Sequence, residues 1–240
     1  MILSLECRKV KRTGFIPAFM IGGLLAAVVP VINMTARSEI YVGLDGSPIQ
    51  ILMDANWQMM AMLNVLLLVA GACLMYHTEY ADNAIWKMCM LPVKEQDLFF
   101  GKTVLLAGMG IVILAFEAIG IAFCSVHWYE LSGNFALELF KSFGYAFALM
   151  LPAALLSLFI ASLCENMWVS LGIGVICVFI ATMLPTDKFV LSIFPFALPF
   201  QIFAGATGTV IRNMLIASAI EIAVIALAEM ILLKIRRAME

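Results

Sequence analysis

Six runs of about twenty apolar residues follow one another along the chain, and no other feature restricts its fold as strongly. They cover residues 15–34, 57–76, 103–126, 142–164, 168–184 and 213–233, and roughly 20 such residues are what an α-helix needs to cross the hydrocarbon core of a bilayer. Six spans in 240 residues leave room for short connections only, so a large catalytic domain has to belong to another chain. The composition agrees: 64% of residues are hydrophobic and 12% charged, against ~45–50% and ~25% in an average soluble domain. A mean hydropathy of +1.06 excludes disordered, collagen-like and coiled-coil chains, which need more polar or more repetitive sequence. The expected fold class is an all-α integral membrane protein, a single domain over residues 1–240 with six transmembrane helices.

Charge sets the orientation. Six spans put both termini on one side, and that side then carries Arg8, Lys9, Lys11, Arg12, Lys87, Lys94, Lys102, Lys234, Arg236 and Arg237. The other side carries Arg37, Lys141, Lys188 and Arg212. The basic excess marks the cytoplasmic face, so both termini are expected there. The first run superficially matches a secretory signal, but it exceeds a signal core of about 7–15 residues and lacks a small-x-small cleavage site, so it is expected to stay as a span. Trp57, Trp128, Tyr129 and Trp168 fall at run boundaries, where amphipathic rings anchor at headgroup level. The net charge of −2 gives no reason to expect a nucleic-acid partner.

Residues 189–211 form an uncharged stretch long enough for a seventh span, but Pro195, Pro199, Gly205 and Gly208 interrupt it. A seventh span would also carry the basic C-terminus outside. The stretch is expected to be a re-entrant element of the outer leaflet. It should pack against the spans, because irregular backbone at membrane depth is tolerated only where protein or a water-filled cavity satisfies it.

The cytoplasmic segment 77–102 concentrates polar side chains. A helix beginning near Glu79 and stopped by Pro92 would place Ala81, Ala84, Ile85, Met88 and Cys89 on one face and Glu79, Asp82, Asn83 and Lys87 on the other. Trp86 lands on the polar face, the position of an anchor for a partner's pocket; the plainer alternative is a ring resting on lipid headgroups.

A basic amphipathic N-terminus (Leu3 to Arg12), two spans, and then Tyr80 to Lys102 with Met90-Leu-Pro-Val-Lys-Glu-Gln-Asp-Leu-Phe-Phe-Gly-Lys-Thr103 resemble the permease subunits of type-2 ABC transporters. Among these, the six-span permeases of lantibiotic and bacteriocin immunity are the nearest likeness. The resemblance implies an N-terminal elbow helix lying along the membrane and a coupling helix after the second span. Leu91-Pro92 and Lys102 match the Leu-Pro and the Lys that follow that helix, and Glu165-Asn166-Met167 matches a second cytoplasmic contact. It implies ABC ATPase subunits docking on Glu79, Asp82, Asn83, Trp86, Lys87 and Glu165. A second permease, identical or a sister chain, would complete the pathway in a bacterial cell membrane. The substrate would be an amphipathic peptide or a lipid drawn from the bilayer. ATP and Mg would be held by the partner ATPase, with no cofactor in this chain and no enzymatic activity of its own. Gly101-Lys102-Thr103 imitates the end of a phosphate-binding loop, but that loop needs a Gly where this chain has Gln96, and a strand before it.

Acidic residues inside the spans are the second informative feature. Glu117 and Glu221 fall in the outer halves of the third and sixth runs and Glu229 nearer the cytoplasm, with no intramembrane cation to pair with them. A charged side chain at mid-bilayer costs at least ~2.5–3.5 kcal/mol, so they should face the bundle interior or water. Glu117 and Glu221 are candidates for the substrate pathway, through a cationic substrate or a shared proton, the alternative being neutral carboxyls bonded to neighbouring helices. Glu229 is the weakest candidate because it can snorkel.

The remaining features read as packing. Ala219, Ala223 and Ala226 permit close helix approach, within the chain or, as the alternative, along a dimer seam, and the six Cys include no Cys-x-x-Cys pair and suit a core role. His77 and His127 lie at opposite membrane faces, so no metal site is expected. Asn33-Met34-Thr35 is a glycosylation sequon in form only, too near the membrane to be used. Two rival functions remain: a proton-coupled secondary carrier, which calls for inverted repeats that are not evident, and a membrane-embedded protease, which calls for catalytic groups clustered in the spans.

Overall fold

The structure is a computed structural model that describes residues 2–11, 13–80, 95–130, 133–184 and 189–239. The helices are α1 (Ile2–Val10), α2 (Phe15–Tyr41), α3 (Pro48–Tyr80), α4 (Glu95–Trp128), α5 (Phe135–Leu163), α6 (Met167–Met183), the single turn α7 (Phe189–Ser192) and α8 (Gly208–Met239), with a 3-10 turn at Leu198–Phe200. There is no strand among the described residues. Five helices, α2, α3, α4, α5 and α8, are long and apolar enough to cross a membrane. The fifth expected span, 168–184, is instead the 17-residue α6, apolar but shorter than the others. The expected spans at 15–34, 57–76, 103–126, 142–164 and 213–233 all sit within longer helices or nearly so.

Local chemistry explains several boundaries. Gly14, at φ +77°, makes the left-handed turn between α1 and α2, a conformation that costs a side-chain-bearing residue more. Ser47 begins α3: its hydroxyl accepts from the Gln50 amide at 3.2 Å and Pro48 occupies the first helical position. Asn166 caps α6 by accepting from the Trp168 amide at 2.9 Å.

α3 and α5 are the most buried long helices and α8 the least. The core runs through Phe15, Phe19, Leu52, Met60, Leu68, Leu106, Ile113, Leu149 and Leu158. α2 lies tightly along α4, and a Cβ at Gly120 would fall on the Ala27 carbonyl, so a larger residue there has to part the two helices. Inside α5, Pro152 removes one donor from the helical ladder and leaves the Ala148 carbonyl without its usual partner. Ser218 of α8 supplies the replacement, donating to Ala148 O at 2.8 Å.

The 189–211 stretch forms no continuous helix: α7 and the 3-10 turn are separated by turns, and α8 starts at Gly208. It is packed into the bundle as expected, with Phe196, Leu198 and Pro199 buried and the Trp57 indole donating to the Pro199 carbonyl at 2.9 Å.

That bond corrects the expected interfacial place of Trp57, which is 3% exposed in the interior of α3 because the helix starts at Pro48 and not at the apolar run. Trp168 is exposed. The reading of the alanine stripe as packing within the chain is also corrected. Ala219 and Ala223 are exposed and only Ala226 is half-buried, because α8 turns Met214, Ala217, Ser218, Ile225 and Glu229 inward.

Candidate functional site

Two kinds of polar group stand out against the apolar bundle: an ionic cluster where α1 meets α3 and α4, and carboxyls deep among the long helices. α3 and α4 have 33 and 34 residues, or about 50 Å each at ~1.5 Å per residue, well beyond a hydrocarbon core of about 30 Å. Glu79, at the end of α3, and Lys102, in the second turn of α4, lie past the apolar runs.

Lys102 is 1% exposed and is bound by Glu79 at 2.5 Å and by Glu6 of α1 at 3.6 Å. Lys9 bridges the same two carboxylates, at 2.6 Å to Glu6 and 2.9 Å to Glu79. Its partial burial opposes its charge, but the adjacent Glu79 and Glu6 carboxylates outweigh that effect and hold its ammonium above the ordinary value of 10.5. The Lys102 ammonium also lies 5.1 Å from the centre of the Tyr76 ring. Among the described residues two lysines and two carboxylates thus form a largely buried quartet of balanced formal charge, joining α1 to the helices on both sides of residues 81–94.

This arrangement changes the reading of the cytoplasmic segment. Glu79 belongs to α3, is 6% exposed and faces the quartet, so it is not part of an exposed face for a partner. Asp82, Asn83, Trp86, Lys87 and Pro92 lie outside the described residues. Glu165 is exposed at the short α5–α6 connection. Gly101, Lys102 and Thr103 are inside α4, with Thr103 donating to Phe99 O, and so do not form a phosphate loop.

Nearby, Tyr80 donates to the Ser162 carbonyl at 2.6 Å and the Ser162 hydroxyl donates to Glu229 at 3.2 Å, joining α3, α5 and α8. Glu229 is 1% exposed: its face of α8 is the one turned into the bundle, so the snorkelling that made it the weakest candidate does not occur.

Glu117 is fully buried and accepts from the Asn64 side-chain amide at 3.0 Å. Its second oxygen and the Asn64 carbonyl oxygen both lack partners. One proton on the carboxyl would serve two acceptors that otherwise have no donor. Glu221 stands apart from this pair. Neither of its oxygens has a hydrogen-bond partner, and it lines a pocket between α6, the 190–195 segment and α8. No hydrogen bond joins Glu117 to Glu221.

Sequence reasoning missed Glu6 and Asn64. Glu6 carries the signal of an acidic residue three positions before Lys9 on an amphipathic helix, and Asn64 that of a lone amide in an apolar run. Among the described residues no group of three or more His, Cys, Asp or Glu is placed to hold a metal ion.

Comparison with curated proteins finds no match to the chain. Comparison with solved structures likewise finds none. Residues 2–181 match the model of the family described as ABC-2 family transporter protein. With three quarters of its length so matched and its long apolar helices arranged as a bundle, the chain belongs to the ABC-2 family of membrane transporter proteins.

Proposed function

We propose that the chain is the membrane-spanning permease subunit of an ATP-driven exporter that moves an amphipathic peptide of the lantibiotic or bacteriocin kind, or a lipid, out of a bacterial plasma membrane. In this reading α6 is the fifth of six crossings and both termini are cytoplasmic. α1 is the elbow helix and 189–211 the re-entrant element. ATP and Mg are bound and hydrolysed by ABC ATPase subunits in trans, and a second permease chain completes the pathway.

The observation that carries the reading is the Glu6–Lys9–Glu79–Lys102 quartet. A movement imposed on residues 81–94 by a docked ATPase has to pass through the adjoining ends of α3 and α4, and the quartet fastens both to α1. Force applied at one loop is thereby delivered to three helices together.

The test is co-purification. A tagged chain extracted from its host is expected to carry an ABC ATPase with it, and Trp86→Ala to cost a contact of about 2 kcal/mol or more, roughly a thirtyfold weaker association, while membrane insertion is kept. Transport that follows a proton gradient without ATP, with no ATPase bound, would remove the proposal in favour of a secondary carrier.

A further inference from the structure

A hollow in the side of the bundle lies between α5 and α8, near the start of each. It occupies ≈ 400 Å³, within the range of about 300–1,000 Å³ typical of small-molecule sites. Its walls among the described residues are Lys141, Gly144 and Tyr145 of α5, Phe203, and Ile211 and Leu215 of α8. Residues 133–184 and 189–239 are described throughout, so the chain that forms these walls has no gap. Lys141, Gly144 and Leu215 are exposed, which opens the hollow to the outside of the bundle.

Helix register sets two cations at one edge of it. α5 and α8 run in the same direction, since their contacts advance together, from Ala148 with Ser218 to Ser162 with Glu229. Lys141 lies seven residues before Ala148 and Arg212 six before Ser218, about 10 and 9 Å along their helices at ~1.5 Å per residue. Each immediately precedes an apolar run, 142–164 or 213–233, so both stand at the same edge of the hydrocarbon. Arg212 is exposed and adjoins Ile211 of the wall. The ion pairs among the described residues all involve Lys9 or Lys102, so neither cation has an acidic partner there. Glu138, one turn before Lys141, accepts instead from the Ser47 hydroxyl at 2.6 Å.

Tyr145 supplies a third donor. It follows Lys141 by one turn on the same face of α5 and is 5% exposed, yet its hydroxyl has no hydrogen-bond partner among the described residues. The Tyr129 hydroxyl is sealed from solvent; that of Tyr145 is not. A reachable hydroxyl and an unpaired ammonium thus share one apolar hollow at the edge of the hydrocarbon.

We propose that the hollow holds one anionic phospholipid, its phosphate accepting from Lys141 and Tyr145 with Arg212 beside it, and one acyl chain lying against Gly144, Phe203, Ile211 and Leu215. Basic pockets between membrane helices suit such headgroups, and a phosphate accepts from ammonium, hydroxyl and guanidinium together. The leaflet, the outer one, rests on the orientation proposed above; the site does not.

The experiment titrates dioleoylphosphatidylglycerol into the purified, delipidated full chain in dodecyl maltoside and counts retained lipid by native mass spectrometry. One saturable lipid is expected, bound at least tenfold more tightly than dioleoylphosphatidylcholine. Lys141→Gln should weaken phosphatidylglycerol at least fivefold and leave phosphatidylcholine unchanged, Tyr145→Phe should weaken it about threefold, and Lys141→Arg should keep it. A Cβ at Gly144 meets no atom within 4 Å, so Gly144→Leu fills the hollow without a clash and should weaken both lipids. Arg37→Gln, which removes another exposed cation near the same face, should change nothing. Unchanged binding in Lys141→Gln or Tyr145→Phe, an equal loss in Arg37→Gln, or phosphatidylcholine bound as tightly would overturn the assignment. Displacement by millimolar inorganic phosphate would overturn it too, giving the site to a free anion. Labelling of Lys141→Cys from the cytoplasmic side only, in a cysteine-free background, would refute the orientation and leave the lipid site standing.

Discussion

Replacing Lys102 by Met is the sharpest perturbation of the ionic quartet. The two side chains are similar in length, so packing is largely kept while one of two positive charges is lost. Glu6 and Glu79, 1% and 6% exposed, are then left with Lys9 alone. The quartet passes from neutral to a net charge of about −1 in a site with little access to water, and breaking a buried ion pair by removing one partner costs about 3–5 kcal/mol. At roughly 2–4 °C per kcal/mol for a chain of this size, the thermal midpoint in detergent should fall by about 6–20 °C, read by tryptophan fluorescence or by loss of the monodisperse peak after heating. The second variant makes the argument specific. Lys102→Met with Glu79→Gln restores neutrality, because Glu6 and Lys9 remain paired at 2.6 Å, and should recover at least half of the lost stability. A double variant no more stable than Lys102→Met alone, or a single variant within about 1 kcal/mol of wild type, would refute the charge-balance reasoning.

Two further outcomes are expected. Because Lys9 is held above its ordinary value of 10.5 in the folded chain, its contribution is full below about 10.4, the value of an unperturbed lysine, and is lost as pH rises through the folded value. The stability advantage of wild type over Lys9→Met should therefore be constant near neutrality and shrink above that point, and an advantage still undiminished at pH 12 would contradict it. Trp57→Phe should leave the Pro199 carbonyl without its indole donor, at a cost of about 1–3 kcal/mol, and hydrogen exchange should rise in residues 193–206 ahead of the rest of the bundle; unchanged exchange there would show that the segment is held by its apolar contacts alone.

The membrane-spanning character of the chain was legible because it depends on runs of side-chain polarity, which local sequence carries. The helix ends were less so. α3 continues for nine residues before Trp57, through Asp54 and Gln50, since a capped helix can extend past its apolar run when its ends leave the hydrocarbon. Lys102 was recognised by its position before the third run, but its partners were not, because Glu6 and Glu79 are 96 and 23 residues away and meet it only after three helices pack. The same holds for Asn64 and Glu117, 53 residues apart. Glu221 was visible as an acid in an apolar run, whereas the pocket beside it depends on the path of 189–195, which breaks in regular structure leave open. The alanines of α8 misled because spacing defines a stripe without saying which way it faces.

Pro152 and Ser218 together govern how α5 and α8 can move. The Ser218 hydroxyl reaches the one carbonyl that Pro152 leaves open, at a single level of α5. Rotation of α8 about that contact keeps it. Translation by one helical turn, about 5.4 Å, takes the hydroxyl out of range and leaves the carbonyl without that donor, at a cost of about 1–3 kcal/mol. This contact therefore resists sliding of α8 more than swinging, like a fulcrum under a lever, and Glu221, one turn beyond Ser218 on the same helix, lies close to it while the ends of α8 lie far from it.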